Sequence, residues 1–300
     1  MNATNADWIA ADWGTSNLRV WAMRDDEAID MRNSDKGMNA LASPEEFAAE
    51  IARITEGWPA LPVVACGMVG ARQGWVEVPY RTAPCPAIPE LVAVPGDPGG
   101  RPVLIAGGVK QSHPPDVMRG EETQIAGILA ARPDFDGVIC LPGTHTKWVR
   151  ISAGEICHFQ TVMTGEVFSL LSRQSVLRHS MTEGSSDPRI AAFSDAVSEA
   201  LSRPHQAWAN LFRLRAADLV GHSAPGSAEG SLSGMLIGLD LGAARPYWLG
   251  EQVLIIGAPR LSALYASALE QQGSAPIIGD TDTATRAGLH AAWRQYRTRS

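Results

Sequence analysis

Lysine is nearly absent from this chain: Lys36, Lys110 and Lys147 are its only three, and the other 22 of its 25 basic residues are arginine. None of the three stands in a G-x-x-x-x-G-K-[ST] run, so the phosphate-binding P-loop is excluded, and G-x-G-x-x-G, H-E-x-x-H and the protein-kinase catalytic-loop signature are missing as well. Any nucleotide must be held by another device. Cysteine is also sparse. Cys66, Cys85, Cys140 and Cys157 form no C-x-x-C pair and no Cys/His cluster at zinc spacing, which points to reduced, mostly buried thiols with no disulfide and no structural metal. No run approaches 18 apolar residues, and the opening MNATNADW carries neither a basic segment nor an apolar core. Neither a membrane span nor a signal peptide is indicated, and a cytoplasmic protein without a membrane partner is expected. A net charge of −7 leaves no basic footprint with which to displace counterions from nucleic acid.

What is present is enough apolar residue, 45% of 300, to bury one large core or two lobes of ordinary size. Apolar runs at 9–11 and 18–23 flank a polar turn, and Asp25-Asp26 opens another turn before 28–32, so a three-stranded meander is expected. Ser43-Pro44-Glu45-Glu46 is a helix start, with Ser at the N-cap, Pro at N1, acids in the first turn and an apolar stripe of Phe47, Ile51 and Ile54. Next come a buried strand at 61–66, an irregular Pro- and Gly-rich connection at 79–102, a strand at 103–106 and a helix at 121–131. The opening order then repeats: a strand at 138–141, the turn PGTHT, a strand at 147–151, a turn at 152–154 and a strand at 156–161. Gly143 aligns with Gly14 and Thr144 with Thr15, which reads as an internal duplication. Helical spacing predominates from 167 to 243. A short strand at 253–256 runs into Gly257-Ala258-Pro259-Arg260 and a helix, a unit that aims backbone N–H groups at an anion. A strand at 275–279 and a helix over 283–296, capped near Asp282, close the chain, and strands alternating with helices make the class α/β.

The turn within ADWGTSNLRVW raises the functional question. Gly14, Thr15, Ser16 and Asn17 are small enough for a ligand to reach the main chain, and their N–H and hydroxyl donors suit a phosphate. Asp12, at the end of the preceding strand, suits a hydrated Mg²⁺, which prefers carboxylate and water oxygens. Arg19 adds a permanent charge. The competing reading is a polar hairpin whose Asp and Asn satisfy their own turn. PGTHTKWV offers a second cradle, in which Gly143 and Thr144 meet a terminal phosphoryl group while His145 or Lys147 offsets developing charge; the alternative is a histidine tied into the turn by hydrogen bonds. MRGEETQ sets Glu121 and Glu122 at a helix start, where the dipole favours the ionised form and keeps a base available. Acids are also ordinary decoration of helix starts.

In chain order, Asp12-Trp13-Gly14-Thr15-Ser16-Asn17-Leu18-Arg19, Gly143-Thr144-His145-Thr146-Lys147 and the glycine turn at Gly257 resemble the phosphate-1, phosphate-2 and adenosine elements of the sugar kinase, heat-shock chaperone and actin superfamily. More narrowly, GMVGARQGW, VMRGEETQ, LPGTHTKWV, TVMTGE and LSGMLIG resemble the 2-dehydro-3-deoxygalactonokinase family through nearly the whole chain. The resemblance implies a two-lobed actin-like ATPase (ribonuclease H-like) fold with a duplicated mixed β-sheet core and an interlobe cleft, divided as 1–134, 135–284 and a C-terminal helix at 285–300. It implies transfer of the ATP γ-phosphate to the 6-hydroxyl of 2-dehydro-3-deoxy-D-galactonate in galactonate catabolism, with ATP and Mg²⁺ as cofactors.

Carried onto these positions, the resemblance makes Asp12 the magnesium-associated aspartate and Gly14, Thr15, Ser16 and Asn17 the first phosphate hairpin. Gly143, Thr144, His145, Thr146 and Lys147 become the second, and Gly257, Ala258 and Ser262 the adenosine contact. Glu121 or Glu122, in an RGEE that also resembles the glycine-acid-acid element of exopolyphosphatases, deprotonates or orients the sugar hydroxyl. The acceptor is a carboxylate, so local positive charge is required, with Arg19, Arg72 and Arg119 as candidates. Leu141-Pro142 stands where many superfamily members begin the second turn with an acid, which rests metal handling mainly on Asp12. The rival readings are an exopolyphosphatase-like phosphotransferase or hydrolase of the same fold and a nucleotide-driven binder in the manner of actin or a chaperone. A homodimer is the expected assembly.

Overall fold

The computed structural model describes residues 3–182 and 186–299; the first two residues of the MNATNADW opening and the last residue of the 285–300 segment lie outside the described residues. The chain forms two compact units, the first from Met1–Asp136, Ile151–His158 and Asp280–Ser300, the second from Gly137–Arg150 and Phe159–Gly279.

In the first unit, β1 (Trp8–Trp13), β2 (Leu18–Arg24) and β3 (Glu27–Ser34) form the expected antiparallel meander. Helix α1 (Pro44–Ile54) returns the chain to β4 (Val63–Gly67), which lies parallel to β1 with Asp12 opposite Cys66 and Trp13 opposite Gly67. Ser43 occupies the N-cap of α1 without a side-chain capping bond, while Glu46 reaches back to accept the Ala42 N–H at 2.7 Å. The connection at 79–102 is more ordered than its composition predicts. It contains β5 (Arg81–Thr82), β6 (Cys85–Pro86) and β7 (Leu91–Ala93), and β7 pairs with β8 (Val103–Ala106), which lies parallel to β4. The main sheet runs β3-β2-β1-β4-β8-β7. A second departure is the hairpin of β9 (Val109–Ser112) and β10 (Pro115–Met118), to which β5 adds in parallel. Strands of two to four residues carry no readable period, and partner strands define them instead. Helix α2 (Glu121–Ala131) follows β10 directly. One sheet face buries Trp13 against Phe47 and Trp75, and the other buries Trp8 and Trp21. With both faces covered, β1 reads as a nearly unbroken apolar run.

Strands β11 (Gly137–Leu141), β12 (Thr146–Ser152) and β13 (Glu155–Val162) repeat the meander; β11, most of β12 and the end of β13 belong to the second unit, while Ile151–His158 is grouped with the first. They precede a helical stretch of α3 (Thr164–Gln174), α4 (Ser186–Ser202), α5 (Ala207–Leu219), α6 (Ser227–Ala243) and α7 (Arg245–Trp248). Then β14 (Val253–Ile256) lies parallel to β11, and after α8 (Pro259–Glu270), β15 (Ile277–Gly279) lies parallel to β14. The strand order β13-β12-β11-β14-β15 matches β3-β2-β1-β4-β8 position for position, so the duplication read from the sequence is a duplication of topology. Helix α9 (Thr281–Arg299) is grouped with the first unit. Its cap is Asp280, which accepts the Thr283 N–H at 2.7 Å, and not Asp282, whose carboxylate is engaged by Arg19. All four cysteines are free, with Cys66, Cys85 and Cys140 buried. No helix among the described residues is long and apolar enough to cross a membrane.

Candidate active site

Ligands of open α/β sheets gather at the carboxyl ends of parallel strands. In the first unit those ends are Asp12-Trp13 on β1 and Gly67 on β4. The β1–β2 turn closes through Gly14 N–H to Asn17 O at 2.9 Å, and the Gly14 and Thr15 carbonyls accept from Met38 and Asn39 N–H at 3.0 and 3.1 Å. A Cβ on Gly37 would lie 2.4 Å from the Ser16 backbone, so this stretch lies directly against one side of the turn. Thr15, Ser16 and Asn17 remain exposed.

Asp12 Oδ2 accepts Arg19 Nη2 at 2.5 Å, and Arg19 Nη1 also donates to Asp282, so the guanidinium is shared between two carboxylates. Gly67 has φ 91°, and a Cβ there would lie 2.7 Å from Trp13 O and 3.5 Å from Asp12 Oδ1; Gly120, at φ 104°, would set a Cβ 3.2 Å from Gly67 Cα. Two glycines in contact thus bring the start of α2, with its two glutamates, to the end of β1 beside Asp12. Glu121 is half-buried, and its Oε2 accepts the Arg119 N–H at 2.9 Å. Glu122 is fully buried; its Oε2 accepts the Gly120 N–H at 2.7 Å and its Oε1 the Thr123 hydroxyl at 3.1 Å. Burial, reinforced by the neighbouring Glu121 charge, pushes the Glu122 carboxyl up to about 8.

The three candidate arginines fare differently. Arg72 is at the surface, with a side chain 80% exposed and Glu77 3.5 Å away. Arg19 is engaged as described. Arg119 is buried, stacks 4.3 Å over the Tyr80 ring and donates from Nη2 to Val78 O at 2.7 Å, while its Nε and Nη1 meet no acceptor among the described residues. The chemistry at Asp12 fits Mg²⁺ in one specific way. No group of three or more His, Cys, Asp or Glu able to hold a metal occurs among the described residues, and Mg²⁺ characteristically keeps several waters and binds through one or two carboxylates plus substrate phosphates.

In the second unit the same strand ends carry Pro142-Gly143 and Gly257. A Cβ on Gly257 would lie 2.8 Å from Pro142 O, and one on Gly165 would lie 2.3 Å from Gly143 O. The Glu166 N–H donates to Thr144 O at 2.9 Å, and the Glu166 carboxylate meets His145 Nε2 at 2.6 Å on the exposed side of the turn. Lys147 is buried, and its Nζ donates to Thr161 on the adjacent strand at 2.9 Å. Thr146 is bonded to Tyr265.

A cavity of about 750 Å³ opens beside this turn, lined by Gly143, Thr144 and Gly165 at one end and by Ala258 and Leu261 of the β14–α8 turn and helix. Most of its wall is apolar. The polar patch is Glu229, held by Arg189 at 3.0 Å and Arg260 at 2.7 Å. Ser262 does not line the cavity; its buried hydroxyl meets no partner among the described residues. Arg260 belongs to the Gly257-Ala258-Pro259-Arg260 unit read from the sequence, but Glu229 and Arg189 were not anticipated, since nothing local separates them from ordinary surface charges on helices.

A family model described as 2-keto-3-deoxy-galactonokinase matches residues 12–292. The chain belongs to the 2-keto-3-deoxy-galactonokinase family. A Rhizobium meliloti (strain 1021) protein named "Probable 2-dehydro-3-deoxygalactonokinase DgoK1" is 39% identical over 305 residues, covering 97% of this chain and 98% of its own. The 2-dehydro-3-deoxygalactonokinase of Escherichia coli (strain K12) is 34% identical over 295 residues, covering 95% and 97%. A crystal structure of a 2-dehydro-3-deoxygalactonokinase family protein from Sinorhizobium meliloti superposes with a TM-score of 0.86 at 37% identity, over 96% of this chain and 99% of the other. The activator of 2-hydroxyisocaproyl-CoA dehydratase from Clostridium difficile, solved with ADPNP, shares the fold alone, with a TM-score of 0.53 at 9% identity over 97% of this chain and 96% of the other. The fold is the duplicated α/β architecture of actin-like ATPases and sugar kinases, as the sequence resemblance implied, and the enzyme class is that of an ATP-dependent kinase. The exopolyphosphatase-like and chaperone-like readings are not favoured.

Proposed function

We propose that this chain transfers the γ-phosphate of ATP to the 6-hydroxyl of 2-dehydro-3-deoxy-D-galactonate in the cytoplasm, with Asp12 holding the required Mg²⁺. The observation that carries the site assignment is the glycine contact from Gly120 through Gly67 to Trp13 and Asp12, which sets a carboxylate-bearing helix start beside a phosphate-type turn. Phosphoryl transfer asks a protein mainly for position and charge. The exposed Thr15, Ser16 and Asn17, and Gly143 and Thr144 beside the large cavity, are the phosphate contacts in this reading; Gly257 and Ala258 shape the adenosine end, with Ser262 packed behind them. Bound Mg²⁺ would neutralise phosphate charge at Asp12.

Between the two glutamates, Glu121 is the base. Glu122 is sealed from solvent, its two oxygens already accept the Gly120 N–H and the Thr123 hydroxyl, and burial pushes its carboxyl up to about 8, which leaves the half-open Glu121 better placed to reach the sugar hydroxyl; the Glu122 bond to the Gly120 N–H shapes the turn from which Glu121 projects. Arg119 is assigned to the substrate carboxylate because it keeps two donors without acceptors among the described residues, and unpaired buried guanidinium donors are costly unless an anion arrives. The reading includes a homodimer, in keeping with the exposure of Trp208 and Phe212 on α5, and light scattering tests it. The deciding experiment is ADP release across a panel of 2-keto-3-deoxy sugar acids, with Asp12→Asn, Glu121→Gln and Glu122→Gln alongside the parent. The galactonate-derived acid should be the best acceptor, and Glu121→Gln should abolish transfer while preserving ATP binding. Preference for another acid would overturn the substrate, and full activity in all three variants would overturn the site.

A further inference from the structure

Beneath the second hairpin lies a carboxylate that neither the motifs nor the roles assigned above use. Asp240, on α6, is 1% exposed. An isolated buried carboxylate is expensive unless its oxygens are satisfied, and here the side chains of Thr164, Tyr265, Trp148 and Thr146 converge on it. Oδ2 accepts the Thr164 hydroxyl at 2.5 Å and the Tyr265 hydroxyl, and Oδ1 accepts Trp148 Nε1 at 2.8 Å. The Thr146 hydroxyl lies 2.8 Å from the Tyr265 hydroxyl and also bonds with Asp240, so the three groups form one network.

The origins of these donors give the cluster its meaning. Thr146 opens β12 at the end of the hairpin turn. Thr164 opens α3, whose next two residues cover the turn: Gly165 abuts Gly143 O, and the Glu166 N–H donates to Thr144 O. Tyr265, on α8, also lines the large cavity. One carboxylate therefore ties together both shoulders of the hairpin and a wall of the adjoining cavity, all within the second unit.

We propose that Asp240 is a positioning residue, which touches no ligand but holds the Gly143-Thr144 turn in the geometry that receives the phosphates of ATP. This rests on the functional reading above, in which that turn meets nucleotide. Catalytic constellations need placement to within about 0.5 Å, supplied by buried hydrogen bonds behind the contact residues.

The test measures kcat and KM for ATP and for the sugar acid separately, together with ADPNP affinity by calorimetry and the thermal midpoint. Asp240→Asn keeps the shape but presents an amide donor to groups that are themselves donors. It should weaken ADPNP binding and raise the KM for ATP by about 10-fold or more, the loss expected for one charge-assisted hydrogen bond, while the KM for the sugar acid stays within about 2-fold. Tyr265→Phe and Thr164→Val should move the same two constants in the same direction, and Thr164→Ser, which restores the hydroxyl, should return them to parental values. Trp248→Phe is the matched control: it removes a buried bond of similar length, donated from α7 to Leu241 O at 2.8 Å and involving neither the hairpin nor the Asp240 carboxylate, and should lower the thermal midpoint without changing nucleotide affinity. A lowered midpoint with unchanged ADPNP affinity in Asp240→Asn would overturn the proposal. If that variant does not fold, equal nucleotide affinities in Thr164→Val and Thr164→Ser would overturn it instead. A parent protein that binds no ADPNP would remove the functional reading and this inference together, whereas an active parent with an indifferent Asp240→Asn removes only the latter.

Discussion

In the first unit the hairpin after β1 is backed by Gly37 and flanked by Gly67; in the second, the hairpin after β11 is backed by Gly165 and flanked by Gly257. The correspondence reaches single atoms. A Cβ on Gly67 would lie 2.7 Å from the carbonyl of Trp13 and one on Gly257 2.8 Å from the carbonyl of Pro142, and each of these residues immediately precedes its hairpin glycine. Asn39 N–H donates to Thr15 O at 3.1 Å, and Glu166 N–H to Thr144 O at 2.9 Å. The side chains do not follow. Two residues before the hairpin glycine stands Asp12 in one unit and buried Leu141 in the other. The buried carboxylate near each turn is also supported differently: Glu122 has a backbone N–H and a hydroxyl, while Asp240 is held by side chains, those of Thr164, Tyr265, Trp148 and Thr146. Duplication has preserved the main-chain geometry of the turn, and the two copies have diverged in the groups around it.

The largest expected difference between the copies is electrostatic. Folded Glu122 titrates near 8 against 4.5 for the ordinary carboxyl. Below the lower value both folded and unfolded states carry the proton; between the two only the folded state does, so stability falls as pH rises from about 4.5 to 8 and levels off above. At 1.36 kcal/mol per unit the ceiling is about 5 kcal/mol. Glu122→Gln should therefore unfold at nearly the parental denaturant midpoint at pH 4.5 and at a higher one at pH 8.5; a gap that does not widen with pH would mean the proton is not held there. Asp12→Asn comes next, with an expected loss of about 10³-fold in magnesium-dependent kcat, or about 4 kcal/mol, read by ADP release against Mg²⁺ concentration. An unchanged magnesium response would break the chemical contrast with Leu141.

The two flanking glycines offer a paired test of the shared backbone. Gly67→Ala meets both a carbonyl and a left-handed φ and should cost about 2–4 kcal/mol, whereas Gly257→Ala meets a carbonyl, with Pro142 Cδ and Ser262 Oγ at 3.2 Å, but no left-handed φ, and should cost about 1–2 kcal/mol. Chemical denaturation measures both, and equal losses would show that the φ difference is unimportant. Smallest of all, Arg72→Ala should leave stability and sugar-acid KM nearly unchanged, because an exposed pair such as Arg72 with Glu77 contributes about 0–1 kcal/mol. A large rise in KM would restore Arg72 to the acceptor site.

Much of the fold was legible because its signals are local. The two meanders, the Pro-led start of α1 and the strand, glycine turn, helix unit at Gly257 each declare themselves within about ten residues. The short strands between 79 and 118 did not, since two to four residues hold no period and only a partner strand makes them strands. The candidate site divides in the same way. Asp12 and the small residues of the first turn stand out in the chain, but that Arg19 is shared with an aspartate 263 residues away does not. The cap expected near Asp282 is Asp280, because α9 begins at Thr281 and Asp282 lies inside its first turn.

By itself the sequence determined which chemical groups are available and their order: two small-residue turns, an acid before only the first, a pair of glutamates at a helix start, and no P-loop. These are properties of composition and spacing, which survive without coordinates. The tertiary structure alone decided which of like groups differ in state. Glu121 and Glu122 are adjacent and chemically the same, yet one is half open and the other sealed, its carboxyl pushed up to about 8 by burial; Lys147, expected to offset phosphate charge, lies buried with its Nζ donating to Thr161. Burial and the direction of long-range hydrogen bonds set those outcomes, and both depend on residues far away in the chain.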